Sequence, residues 1–498
     1  MGTRTSGATQ NRFDVAIIGG GASGLITAVQ LLRIARKNPD SVLSVALIHE
    51  TDILGRGPAY STTCGEHLLN VPAKGMSAIA EDRSHFLRWL VRSGIDAVPE
   101  TFAPRMMYGQ YLEDTLNETQ RGLSDNIRLS ILREHAIDLK KLPGSGNSTA
   151  SADWAIEFAS GASITAGAVV VAVGNFAPEQ HVVTSFMDLP CAGYHENPWS
   201  SGGMSQIKPN QDVLMIGTGL TMIDIVLQLR SDGHRGRLIG LSRHGLLPQV
   251  HFNDERMQDD QPTKYLPEEL PVRLNELFHC VRQRIKAAEM RREGNWRFVI
   301  NELRPHTSDI WRRLNLSDRK RFLRHVRQRW ETHRHRMAPE IDTKVRALVR
   351  ANRLSFTHGR IVDIEKANEQ FVVSVKATGG KIEYHTVDHI VNCTGPQTDL
   401  RRVRHPLLVS MLSSGLLVAD ELGLSAKTDA PGVLIGRDET VPVSNLYALG
   451  AMRKGELWES LAIPEIREQA KELAQAVLQK LTDETRTGST LVEAAVPG

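Results

Sequence analysis

The residues whose types and spacing could do chemistry begin with Gly19-Gly20-Gly21-Ala22-Ser23-Gly24, which satisfies G-x-G-x-x-G, and Glu50 downstream of it. Glycines at these positions let a backbone turn sharply and come close to a pyrophosphate, and an acid at that distance can accept hydrogen bonds from a ribose. Gly19 makes the turn, Gly21 admits the phosphates, and Gly24 lets helix and strand pack closely. Ala22 and Ser23 fall in the first helical turn, whose free N–H groups favour an anion. A second pattern, Gly217-Thr218-Gly219-Leu220-Thr221-Met222, has Met222 where the third glycine would stand, which implies looser helix–strand packing. Downstream of it, Ser242-Arg243 takes the place of an acid. A hydroxyl and an arginine suit the 2′-phosphate of NADPH better than the 2′-OH of NADH. NADPH is therefore expected as the second nucleotide, with NADH as the alternative.

The elements that must position these residues can be read around them. Val15–Ile18 is an apolar run of the length of a buried strand. Leu25, Ala28, Val29, Leu32 and Ala35 then fall on one helical face, closed by Arg33, Arg36 and Lys37, and Ser44–His49 is the next strand. Strand, loop, helix, strand and acid in that order point to a ligand-binding unit, whereas a glycine-rich turn alone would not. Asp212–Ile216, a helix through Arg230, and Arg237–Leu241 repeat the order. Two apolar strands ending in glycine, Ala168–Gly174 and His389–Gly395, read as counterparts where the chain leaves the first domain and returns to it. Late in the chain, Leu446–Leu449 meets Gly450, Glu456–Leu461 reads as a turn, and Pro464 opens a helix through Leu481. Such a strand–glycine–helix unit can close over a flavin ring, with its helix N-terminus favouring negative charge there.

The expected fold is therefore α/β, with two Rossmann-like dinucleotide-binding domains and a mostly helical insertion. The boundaries read as 1–205 for the first part of the FAD domain, 206–352 for the NADPH domain, and 353–498 for the rest of the FAD domain. The insertion occupies about residues 255–350. Within it Arg319, Lys320, Arg321, Arg324, Arg327, Arg329, Arg334 and Arg336 face one acid, Glu331, while Phe322, Val326 and Trp330 recur every fourth residue. This reads as one amphipathic helix with a basic outer face. Its plain reading is a solvated face, and its sharper one a lid or funnel for an anionic substrate or cofactor. His85–Val91 and Arg105–Leu116 read as helices, the second interrupted at Gly109.

Composition narrows the class. With 498 residues, 41% hydrophobic and 23% charged, the chain has the make-up of an ordinary globular enzyme of two or three domains. A net charge of +3 over this length argues against a nucleic-acid partner. No apolar run is long enough to cross a membrane, and Met1–Arg12 is polar rather than a signal peptide, so a cytoplasmic protein is expected. Met1-Gly2 with Ser6 fits only the shortest form of an acylation pattern. Cys64, Cys191, Cys280 and Cys393 form neither a C-x-x-C pair nor a metal-ligand spacing, so no metal site and no disulfide-reductase chemistry are expected.

Three stretches together resemble the bacterial FAD–NAD(P)-binding proteins: GGGASG with Glu50, GRGPAYS…HLLNVPAKGMS, and LGAMRKGELWESLAIPEIR. The likeness extends over about 450 residues. Members with assigned activity are similar to class B flavin monooxygenases and include FAD-dependent urate hydroxylases and aspartate N-monooxygenases. The resemblance implies FAD and NADPH as cofactors, and a small polar substrate and O₂ as partners. It also implies hydroxylation through a flavin C4a-hydroperoxide. Asn70 matches the asparagine that lies beside flavin and NADP in the wider group, which makes it the expected catalytic residue. The expected cofactor-binding residues are Gly19, Gly21, Ala22, Ser23, Gly24, Glu50, Gly217, Gly219, Thr221, Ser242, Arg243 and Gly450. Arg56, Arg105 and Trp458 are lesser candidates. The compactness of the chain favours a urate hydroxylase, with an aspartate-type N-monooxygenase as the alternative. A flavin reductase passing electrons to an external acceptor is a further one. Oligomeric state is not legible.

Overall fold

Val15–Ile17 are fully buried because both edges and both faces of their strand are covered. Arg12–Ile18 pairs in parallel with Leu43–Ile48 on one side and Ser163–Val171 on the other. Such a strand needs apolar residues at every position, which is how it reads in the sequence. The computed structural model describes residues 12–143, 153–179, 181–200, 202–252, 265–292, 294–438 and 442–494. The pattern at Met1 to Ser6 and the opening of the expected insertion, 255–264, lie outside them.

The first sheet runs in parallel through Ile127–Leu132, Leu43–Ile48, Arg12–Ile18, Ser163–Val171 and Pro442–Ala448. Antiparallel strands extend it at Val433–Ile435 and Thr428–Asp429, and a second branch adds Trp154–Phe158 and Ala136–Lys141. The Ala22–Ala35 helix covers one face. Ile463, Ile466, Ala470, Leu473 and Ala474 of the C-terminal helix, Ile463–Ala494, join Leu25, Ile26 and Val29 in one core. The two ends of the chain thus build a single domain.

The second sheet runs Ile382–Val387, Gln370–Ala377, Leu354–Ala367, Leu238–Ser242, Val213–Ile216, His389–Asn392 and Tyr194–His195. This corrects the sequence boundaries at 205/206 and 352/353. Residues 354–392 belong to the second sheet, as does Tyr194–His195, and the return to the first domain follows Asn392. The chain leaves the first sheet after Ser163–Val171 and comes back to it past His389–Asn392, the strands that run out at Gly174 and Gly395. Each flanks the central strand of its own sheet. An apolar run fits a buried strand in either sheet, and only the pairing partner decides between them.

The insertion is helical, but its basic stretch is not one helix. Leu316–His325 and Arg327–Arg334 are separate, with the break at Val326. Nor is the basic face wholly outward, since Arg334 and Arg336 are buried. Arg319 is spent on the carbonyls of Trp311, Leu314 and Arg312. Gly109 does not interrupt its helix, which runs Arg105–Arg121. Its missing side chain admits Arg56, whose Cγ would lie 2.9 Å from a Cβ there. The expected turn at Glu456 begins as a short helix, Lys454–Leu457, and Pro464 is the second residue of its helix.

The domains are clasped by a buried ion pair. Asp224, on the Leu220–Ser231 helix of the second domain, lies 2.7 Å from Nη1 of Arg105 in the first, with side-chain exposures of 8% and 14%. His67 lies 2.9 Å by Nε2 from the Asp224 carbonyl, and Arg105 Nε donates to the Leu68 carbonyl. Burial pushes the Asp224 carboxyl up and Arg105 pulls it back. Arg105→Met would leave that carboxylate sealed without a partner, a defect of about 3–5 kcal/mol. The urea unfolding midpoint should fall accordingly, and adding Asp224→Leu should recover most of the loss. A single variant as stable as the parent would show the clasp to be idle.

Candidate functional site

At the first glycine turn, Gly19 has φ +110° and donates its N–H to the Ile48 carbonyl at 3.0 Å. A Cβ there would lie 2.6 Å from the Ala172 carbonyl oxygen, so only glycine fits. A Cβ at Gly24 would lie 1.8 Å from the Gly19 oxygen, which is the close packing expected of the third glycine. Gly21 differs: nothing lies within 4 Å of its hypothetical Cβ. It is also the cap of a helix whose first turn, from Ala22 and Ser23, has no side-chain cap. Open space before uncapped N–H groups fits a pyrophosphate. Gly450, at φ +66°, comes so close that a Cβ on it would lie 2.6 Å from Ser23 Oγ.

Glu50 follows the second strand and is exposed, with Oε1 2.5 Å from Nδ1 of His135. Glu50 and His405 line a small cavity with Ile18, Gly19 and Ile48. The Nδ1 of His405 is buried without a hydrogen-bond partner among the described residues. An orphaned donor or acceptor beside an exposed carboxylate leaves room for a polar ligand group. The ligating atoms of Glu50, His135 and His405 lie within 4.8 Å of one another. Neither histidine was legible in the sequence, because each arrives from a distant loop with no motif around it.

The second turn repeats the first. Gly217 has φ +109°, donates to the Leu241 carbonyl at 2.7 Å, and would place a Cβ 2.3 Å from the Cys393 oxygen. Gly219 caps its helix in open space, as Gly21 does. Thr221 is half-buried in the first turn of that helix, and Met222 is wholly buried in the second-domain core. Ser242 Oγ accepts from Thr218 Oγ1 at 2.9 Å and from the Gly245 N–H at 3.0 Å, which fixes the loop carrying Arg243. Arg243 is exposed and makes no ion pair among the described residues.

Between the domains lies the Asn70 loop. Leu69 N–H donates to the Ala103 carbonyl, and Ala73 N–H to that of Thr101. The Asn70 carbonyl accepts from His251 Nε2 at 3.0 Å. Burial, with Arg336, Arg334 and Arg297 adding to it, pushes the His251 imidazole down to about 4, so the ring is neutral near pH 7. The backbone of Asn70 is thus pinned, while its half-buried side-chain amide makes no hydrogen bond among the described residues. Pro464 of the C-terminal helix approaches the same loop at Gly75. Of the lesser candidates, Arg56 pairs with Glu113 at 2.8 Å and Arg105 with Asp224. Trp458 stacks on Trp311 at 5.0 Å in the core beneath the insertion.

Residues 16–176 match the model of a family described as FAD-NAD(P)-binding, so the first domain is an FAD-NAD(P)-binding domain. No curated protein matches the chain in sequence. Among solved structures, the chain is similar to ornithine hydroxylase from Pseudomonas aeruginosa, at 15% identity and a TM-score of 0.62, covering 94% of this chain and 99% of that one. L-lysine 6-monooxygenase from Pseudomonas syringae gives 16%, 0.62 and the same coverage. An ornithine N-hydroxylase from Kutzneria sp. 744, with reduced FAD, NADP+ and L-ornithine, gives 15%, 0.57, 94% and 99%. These likenesses establish the two-domain fold of flavin monooxygenases.

Glu50→Ala should weaken FAD retention by about 1.5–3 kcal/mol, the value of a hydrogen bond to a charged group. Recovery of FAD fluorescence on dilution measures it, and unchanged retention would dissociate Glu50 from the cofactor.

Proposed function

We propose that this protein is an FAD-dependent, NADPH-consuming monooxygenase that hydroxylates the nitrogen of a small amino acid or amine. The observation that carries the reading is the pair of open, matching glycine turns set in a fold shared over 94% of the chain with amino-acid N-hydroxylases. The amino-acid alternative therefore replaces urate as the favoured substrate. Cys64, Cys191, Cys280 and Cys393 are all free thiols, which gives no support to a dithiol reductase.

Bound FAD would supply hydride acceptance from NADPH and oxygen activation, chemistry that side chains lack. What the chain contributes is placement. The turn at Gly19 to Gly24 with Glu50 and Gly450 would hold FAD, and the turn at Gly217 and Gly219 with Thr221, Ser242 and Arg243 would hold NADPH. Asn70, pinned by its carbonyl, would present its amide where the two cofactors meet. A preorganised donor needs no reorganisation as charge develops.

The decisive assay counts NADPH oxidised, hydroxylated product and hydrogen peroxide with L-ornithine, L-lysine, L-aspartate and urate. One product per NADPH with an amino acid is expected, and NADPH oxidation without hydroxylated product from any of them would favour a reductase. Asn70→Ala should still consume NADPH but form less product and more peroxide, since loss of one preorganised donor amounts to on the order of 3 kcal/mol. Unchanged coupling would remove Asn70 from the chemistry.

Arg243→Ala should raise the KM for NADPH about tenfold or more and leave NADH nearly unaffected. Equal effects on both nucleotides would mean that Arg243 does not read the 2′-phosphate.

A further inference from the structure

The helical insertion turns part of its positive charge inward, and not all of that charge is paired. Arg304 and Arg334 meet the carboxylate of Glu465 at the start of the C-terminal helix, Arg334 also faces Glu459, and Arg297 and Arg336 lie close enough for their charges to add to the cluster. Both acids already meet cations, through Oε1 alone for Glu465, whose Oε2 is buried without a hydrogen-bond partner among the described residues. Glu465 lies 2.9 Å from Arg304 Nη2 and 3.1 Å from Arg334 Nη2. Glu459 accepts from Trp330 Nε1 at 2.7 Å and faces Arg334 and His335 at 3.9 Å.

Arg336 and Arg297 have no such partner. Arg336 is 3% exposed, and its Nε donates to the His333 carbonyl at 2.7 Å. Its terminal nitrogens bond to no described residue. Arg297 donates from Nε to the Val250 carbonyl. The two guanidinium carbons lie 4.9 and 4.4 Å from the centre of the same Trp296 ring. Burial pushes the Arg336 guanidinium down to about 9, and Arg297, Arg334 and Arg304 push it the same way. A buried cation held among cations is unfavourable by itself and becomes favourable once an anion completes it. The pair also has an address. Both arginines act on His251, whose ring holds the Asn70 carbonyl, and Glu465 adjoins Pro464, whose Cγ would lie 3.8 Å from a Cβ placed on Gly75 beside the Asn70 loop.

We propose that Arg336 and Arg297 form a binding site for an oxyanion group beside the Asn70 loop, and that this group is the carboxylate of the substrate. The carboxylate assignment rests on the proposed function, whereas the oxyanion site does not. A guanidinium offers two parallel N–H groups that match a carboxylate edge, and stacking on Trp296 holds the fork in place. The other oxyanion at hand is a phosphate of the nicotinamide nucleotide. The open turn at Gly219 and the exposed Arg243 already provide for it in the second domain, which favours the carboxylate here.

The test is calorimetric titration of the FAD-loaded protein with L-aspartate, succinate, 1,5-diaminopentane and NADP+, for the parent, Arg336→Met and Arg336→Lys. Carboxylates should bind the parent and the diamine should not. Arg336→Met should weaken carboxylate binding about tenfold or more, Arg336→Lys should recover part of it, and NADP+ should bind all three alike. Because the unliganded cation is a burden, the melting temperature of ligand-free Arg336→Met should equal or exceed that of the parent. If NADP+ alone weakens, the oxyanion is a nucleotide phosphate and the carboxylate assignment is overturned. If neither ligand is affected, or ligand-free Arg336→Met melts lower, Arg336 is structural and the site is overturned. Intact carboxylate binding in a protein that hydroxylates nothing would sink the monooxygenase reading and leave this site standing.

Discussion

The constraint on which the rest of the structure depends is the approach of a glycine to the carbonyl at the end of the neighbouring strand. Gly19 sits against Ala172, and Gly217 against Cys393, at distances no side chain allows. Each glycine takes a positive φ that ends a central parallel strand and swings the following helix so that its N-terminus faces open space. Everything that surrounds a nucleotide is placed relative to those two turns. The flanking strands must be parallel and buried, which explains their unbroken apolar runs. Both helices begin without a side-chain cap, which leaves their first N–H groups free to face the open space.

The region between the domains solves two electrostatic problems in different ways. Asp224 and Arg105 form a closed pair, with backbone carbonyls and His67 completing the polar contacts around them. That arrangement is self-sufficient and fixes one domain on the other. The cations of the insertion are not self-sufficient. Two carboxylates answer four arginines, and the pair left over stacks on one tryptophan next to the loop that carries Asn70. Low dielectric makes an unpaired charge unfavourable, so the two arrangements differ in kind: one is complete as folded, the other calls for a ligand.

Local pattern carried a great deal of this architecture. Both glycine turns, the order of strand and helix around them, the acid after the second strand and the late strand–glycine–helix unit were legible from residue type and spacing, because each depends on chain neighbours only. The strand endings at Gly174 and Gly395 were recognised as equivalent for the same reason. The second of them was given to the wrong sheet, because an apolar run says that a strand is buried and not what it is buried beside. The basic stretch from Arg319 to Arg336 was read as an outer face, since a helical period separates two faces but cannot tell which of them meets another domain.

The sequence by itself therefore determined an α/β protein with two dinucleotide-binding turns, since glycine stereochemistry and the length of apolar runs are properties of short segments. Only the tertiary structure decided that residues 354–392 complete the second sheet. It alone brought His135 and His405 to Glu50, closed Arg105 on Asp224, and left Arg336 and Arg297 without a carboxylate. Each of these depends on groups far apart in the chain, and the energy of a charge is set by whatever the fold places within a few ångströms of it.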